Sequence, residues 1–122
     1  MSTKTQPDVF NPKASPEAAY NYAFSFLGAR WIEGESLILS DPYWAYYYAR
    51  NILKERWFEA ESIISTEVFP AYQYALELVG ERWIEAESTI SKDAQFSYFY
   101  AKNILKSRFE LGESAIATSA SY

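Results

Sequence analysis

Arg30, Arg56, Arg82 and Arg108 stand 26 residues apart, and each is followed by a large aromatic ring, at Trp31, Trp57, Trp83 and Phe109. The same step joins Tyr20, Tyr46, Tyr72 and Tyr98, then Tyr22, Tyr48, Tyr74 and Tyr100, then Ala23, Ala49, Ala75 and Ala101. Beyond the arginines it joins Glu35, Glu61, Glu87 and Glu113, then Ser36, Ser62, Ser88 and Ser114, then Ile38, Ile64, Ile90 and Ile116. Seven positions are therefore identical in four gapless copies. Each copy must adopt one local structure, and a unit this short must bury its apolar face on its neighbours. Alternate units share more still: Gly28 and Gly80, Arg-Trp-Ile-Glu at 30–33 and 82–85, and Asn-Ile-Leu-Lys at 51–54 and 103–106. That pattern fits duplication of a 26-residue unit and then of the 52-residue pair.

Every unit predicts two helices. The first, over 42–54 in the second unit, has Asp41 as N-cap and Pro42 at the first helical position, where a missing N–H does no harm. Ser15-Pro16 opens the first unit in the same way. Ala45, Ala49, Ile52 and Leu53 recur as a buried helical stripe. Gly28 and Gly80 help the chain turn in the odd units, and a second helix is expected from about Trp57 to Ser65, with Trp57, Ala60 and Ile64 on one face. The expected fold is all-α, an α-solenoid of four 26-residue two-helix repeats forming a HEAT-like or leucine-rich-variant-like superhelix. Units 15–40, 41–66, 67–92 and 93–118 make one helical repeat domain over 15–122, preceded by an N-terminal arm over 1–14. The stretch from Ala117 to Tyr122 reads as the start of a fifth first helix. Phe10 and Tyr122, or another copy in a homo-oligomer, are candidates to cover the apolar ends of the stack.

Composition removes most enzyme templates. With no Cys and no His among 122 residues, thiolate catalysis, zinc ribbons and the usual general base are absent. There is no Gly-rich phosphate loop and no carboxylate cluster at metal spacing, so neither cofactor nor metal is expected. A net charge of -5 argues against a nucleic-acid partner, whose phosphates need Lys and Arg. No apolar run has membrane-span length and the first ten residues lack a secretory pattern, so the expectation is a cytoplasmic protein without membrane contact.

An identical Arg–Glu pair in each unit reads as scaffold: a ladder of Arg30, Arg56, Arg82 and Arg108 with Glu35, Glu61, Glu87 and Glu113, expected to tie one repeat to the next. The buried tyrosines need partners for their hydroxyls, which the invariant Glu or a carbonyl of the adjoining unit can supply. Ser62 and its equivalents have no base in repeat register, so no catalytic residue is expected. Binding is sought where the units differ. Tyr43, Tyr47, Arg50 and Lys54 fall on one flank of the first helix, away from its buried stripe, with Trp44 nearby. With Phe96, Phe99 and Lys102 of the fourth unit, they form the expected partner-binding set, since Tyr, Trp and Arg dominate interface hot spots. Acidic second-helix faces around Glu33, Glu59 and Glu85 add charge complementarity. The function expected is non-catalytic binding of a protein. The alternatives are sequestration of a small nucleotide-like anion between helices and stacking of single-stranded bases on the aromatic and basic residues.

The run from Asp41 to Lys54, Asp-Pro-Tyr-Trp-Ala-Tyr-Tyr-Tyr-Ala-Arg-Asn-Ile-Leu-Lys, followed by Arg-Trp-Phe-Glu-Ala-Glu at 56–61, resembles the aromatic-rich tandem repeats of small proteins of large tailed bacteriophages. The resemblance spans Ser15 to Thr118. Those repeats usually carry Pro after the Trp, where this chain has Ile32, Phe58 and Ile84. It implies host takeover or anti-defence work, that is, a phage-encoded inhibitor of a host or anti-phage defence protein in the host cytoplasm.

Overall fold

The computed structural model describes residues 11–117. The expectations placed on 1–10, including Phe10, and on 118–122, including Tyr122, lie outside the described residues. Within them the chain is all-helical, without a strand. We number the helices α1 (16–27), α2 (32–38), α3 (42–53), α4 (58–64), α5 (68–79), α6 (Ile84–Ile90), α7 (94–105) and α8 (110–117). Each unit contributes one long and one short helix. Successive long helices pack side by side, and each short helix packs on the long helix of its own unit.

The caps form as the sequence dictates. Ser15 Oγ accepts the Ala18 N–H at 3.0 Å, Asp41 Oδ1 accepts those of Tyr43 and Trp44 at 2.8 and 3.1 Å, and Asp93 Oδ1 accepts that of Phe96 at 2.9 Å. Unit three opens on Glu67 and carries Pro70 inside the first turn. Behind the caps, Ala19, Ala23, Ala45, Ala49, Ala71 and Ala75 are fully buried, which lets long helices approach closely around Ile38, Ile64 and Ile90.

The far ends of the long helices were not foreseen. Each widens into a π-helical turn, at Tyr22–Leu27, Ala49–Leu53, Ala75–Val79 and Tyr100–Leu105, and closes on one left-handed residue. In the odd units that residue is glycine, Gly28 at φ 62° and Gly80 at φ 77°. In the even units it is Lys54 at φ 59° and Lys106 at φ 57°, so all four units turn alike although only two carry glycine. A side chain in this region costs about 1 kcal/mol or more. Lys54→Gly is therefore expected to raise stability by about 0.5 kcal/mol, after the extra freedom of the unfolded glycine, and Gly80→Ala to lower it by about 1 kcal/mol. Denaturant melts check both; a destabilised Lys54→Gly would show that the lysine side chain is itself held.

The second helices start one residue later than the sequence suggests. Trp57 is extended, at φ -117°, and a single 3-10 turn over Phe58–Ala60 precedes the α-helix Glu61–Ile64. The residue closing that turn must be small. A Cβ on Gly34 would lie 2.2 Å from the Trp31 ring, and one on Gly112 would lie 2.4 Å from Ser97 Oγ. Unit four has Ser97 where the others have alanine, so the glycine opposite makes room for the hydroxyl, which donates to the Ile90 carbonyl at 3.1 Å.

Candidate functional site

The Arg–Glu pairs close within units, which corrects the expected inter-unit ladder. Arg56 Nε and Nη2 donate to the two Glu61 oxygens, both at 2.8 Å. Arg30–Glu35, Arg82–Glu87 and Arg108–Glu113 repeat this fork with distances between 2.6 and 3.0 Å. The reason is local: five residues that include an extended Trp and a 3-10 turn fold the arginine back over the start of its own second helix.

Tyrosine makes the link between units. Tyr48 Oη donates to Glu35 at 2.7 Å and accepts the Trp31 N–H at 2.8 Å. Tyr74 does the same with Glu61 and Trp57 at 2.6 and 2.8 Å, and Tyr100 with Glu87 and Trp83 at 2.6 and 2.9 Å. Each hydroxyl thus satisfies a backbone donor that a helix start would leave orphaned. A second series points the other way: Asn51 Nδ2 donates to Tyr20 Oη at 2.8 Å, Asn103 Nδ2 to Tyr72 Oη at 2.9 Å, and Tyr46 Oη donates to Glu77. Asn in the even units and Glu in unit three are two solutions for one position. Burial, then the hydrogen bond to a carboxylate, pushes the hydroxyls of Tyr46, Tyr48, Tyr74 and Tyr100 far above the ordinary tyrosine range. These groups are fully engaged in holding the stack.

The expected partner-binding set divides. Trp44 lies half-buried with its ring 5.3 Å from Tyr20, and Tyr47 is half-buried between Tyr20, Trp44 and Tyr46. Phe96 packs on Phe69 and Tyr72, and Phe99 packs on Tyr72. These four fill the grooves between long helices and do not form an outer face. Arg50 is exposed yet bridges to unit three through Glu77 at 3.1 Å. Tyr43 is exposed and stacked on Phe69, Lys54 is the exposed left-handed cap, and exposed Lys102 lies 5.8 Å from the Tyr98 ring centroid. The even units carry surplus aromatics because these rings cover the first tyrosine of the unit before.

A different surface stands out. Ile32, Phe58 and Ile84, one residue after each buried Trp, are 65%, 71% and 68% exposed. Unit four reverses the order to Glu110-Leu111, and Leu111 is 59% exposed. Glu33, Glu59 and Glu85 follow the first three, and Glu55 and Glu81 occupy the preceding turns. The arginines on this edge are neutralised by their forks, whereas none of these other acids forms an ion pair among the described residues. The result is a row of apolar side chains in an acidic border along the edge where long helices end and short ones begin. Arg56 lies over the Phe58 ring at 4.6 Å and screens it only partly. The Trp83 Nε1–H nearby is buried without an acceptor among the described residues, whereas Trp57 Nε1 donates to Glu59 at 3.3 Å. The acidic half of this surface was legible from Glu33, Glu59 and Glu85. The apolar half had one signal, three large apolar residues in repeat register and off the Trp57, Ala60, Ile64 stripe.

No family model, curated protein or solved structure matches the chain. Among the described residues no group of acidic side chains is arranged to hold a metal, and no helix is long and apolar enough to cross a membrane.

Proposed function

We propose that the chain is a non-catalytic binding module that engages a protein partner along the row Ile32, Phe58, Ile84 and Leu111. The carrying observation is that a large apolar residue at the start of the second helix stays open to water in every unit, whereas the other exposed apolar side chains in repeat register, Phe26, Leu27 and Tyr98, are confined to the first and last units. Exposed apolar side chains that recur unit after unit beside unpaired acids are what a protein contact site presents. The likeness to tailed-phage repeats supports a phage-encoded inhibitor of a host or anti-phage defence protein. An anionic ligand is less well served. The depression beside Tyr98, Lys102 and Lys106 offers two lysine charges but is shallow and widely open, without the enclosing walls of a small-molecule site.

Phe58→Ser with Ile84→Ser tests the reading. These side chains are exposed, so the melting midpoint should move by no more than about 1 kcal/mol-equivalent. Retention of the partner from host cells, quantified by mass spectrometry against the unaltered protein, should fall by about 30-fold or more. Equal retention by both proteins, with folding intact, would remove the row from the binding site.

A further inference from the structure

We infer that the protein assembles head to tail, α1 of one copy docking as a fifth long helix on the fourth unit of another and placing Tyr22 against Glu113 and the Phe109 N–H. This rests on the junctions inside the chain and is independent of the proposed partner row. Three junctions show what such a contact looks like: a tyrosine hydroxyl between the preceding unit's carboxylate and the backbone N–H of its tryptophan. The fourth unit carries the receiving half of a further one. Arg108 holds both Glu113 oxygens at 2.8 and 2.7 Å, aligned as in the other units. Among the described residues no tyrosine reaches that carboxylate and nothing accepts the Phe109 N–H. The Glu113 side chain is 40% exposed, against 9%, 15% and 3% for Glu35, Glu61 and Glu87 in the completed junctions.

The first unit carries the entering half. Tyr22 is held 4.7 Å from Trp31, ring to ring, as Tyr48 is from Trp57 at 4.9 Å, Tyr74 from Trp83 at 5.0 Å and Tyr100 from Phe109 at 4.8 Å. Phe26 and Leu27 are exposed, whereas their counterparts Ile52, Leu53, Leu78, Val79, Ile104 and Leu105 are half-buried against the core. Ser25 stands where Asn51 meets Tyr20, so its hydroxyl would meet Tyr98. Tyr22, Phe26 and Tyr98 have contacts in the single chain, which they would exchange on assembly. A contact between unlike ends is heterologous and leads to a ring or an open filament according to its rotation.

Sedimentation equilibrium on the full chain, from about 10 μM to about 1 mM, is the test. The unaltered protein should exceed its 14.1 kDa monomer mass increasingly with concentration. Phe26→Glu, which blocks the head, and Glu113→Lys, which blocks the tail, should each stay monomeric. Their equimolar mixture should give a one-to-one dimer and nothing larger, because one free head then meets one free tail. Tyr22→Phe should weaken association about tenfold, the effect of one hydroxyl hydrogen-bonded to a charged group. A strictly monomeric unaltered protein, variants that associate like it, or a mixture that stays monomeric would each overturn the inference.

Discussion

Raising the pH past about 10 is expected to unfold the protein steeply, because four tyrosine hydroxyls lose their place in the stack once ionised. Tyr46, Tyr48, Tyr74 and Tyr100 are buried, and each donates to a carboxylate, at Glu77, Glu35, Glu61 and Glu87. A phenolate there would be dehydrated and would face another anion. The folded-state pKa of each is therefore raised, with burial the larger cause. The sign follows from proton uptake: above about pH 10 the unfolded chain releases phenolic protons that the folded chain retains, so stability is intact below that pH and falls as pH rises. Each retained proton is worth about 1.4 kcal/mol per pH unit, so the four together remove about 5.5 kcal/mol per unit, comparable with the whole stability of a small domain. Tyr74→Phe should lower stability at neutral pH by about 1 to 3 kcal/mol, since the Trp57 backbone N–H loses its acceptor and Glu61 loses one of its donors, while flattening the alkaline slope by about a quarter. Circular dichroism melts at stepped pH read both effects. A slope unchanged by Tyr74→Phe would show that these hydroxyls do not control alkaline unfolding.

The parts of this design that were legible in sequence are those set by chemistry within a unit. Asp41-Pro42 can only open a helix, Ala45 and Ala49 can only serve a close helix contact, and a buried Tyr48 needs a partner that an invariant Glu can supply. Three features were not legible, each for a physical reason. A spacing of five between Arg56 and Glu61 does not reveal whether the intervening chain is helical, and the extended Trp57 decides that the fork closes locally. Lysine carries no preference for the left-handed region, so Lys54 and Lys106 adopt it only because the packed helices on either side demand the same turn that Gly28 and Gly80 make easily. The row Ile32, Phe58 and Ile84 depends on exposure, which no periodicity reports when the residue is the first of its helix. Tyr47 shows the converse: lying off its own helix's stripe did not make it outer surface, because Tyr20 of the neighbouring helix covers it.

Glu87→Ala is expected to destabilise the protein by about 2 to 4 kcal/mol, whereas Glu113→Ala, at the same position of the repeat, should leave the dilute monomer almost as stable as before. Glu87 is 3% exposed and accepts from Arg82 twice and from Tyr100 once. Its loss leaves a cavity, breaks the carboxylate bond that orients Tyr100, and loosens the hold of that hydroxyl on the Trp83 N–H. Arg82 does not become a stranded buried cation, because its side chain is 58% exposed and returns to water, which keeps the loss below that of breaking a fully buried pair. Among the described residues Glu113 has only the fork from Arg108, and both are open to solvent, so its pair behaves as a screened surface contact. At about 4 to 8 °C per kcal/mol for a domain near this size, the first change should lower Tm by roughly 10 °C or more and the second by only a few degrees. Equal losses at the two sites would mean that the fork itself stabilises each unit. A large gap between them locates the stabilisation in the tyrosine that crosses to the next repeat, the step by which four marginal helix pairs become one cooperative stack.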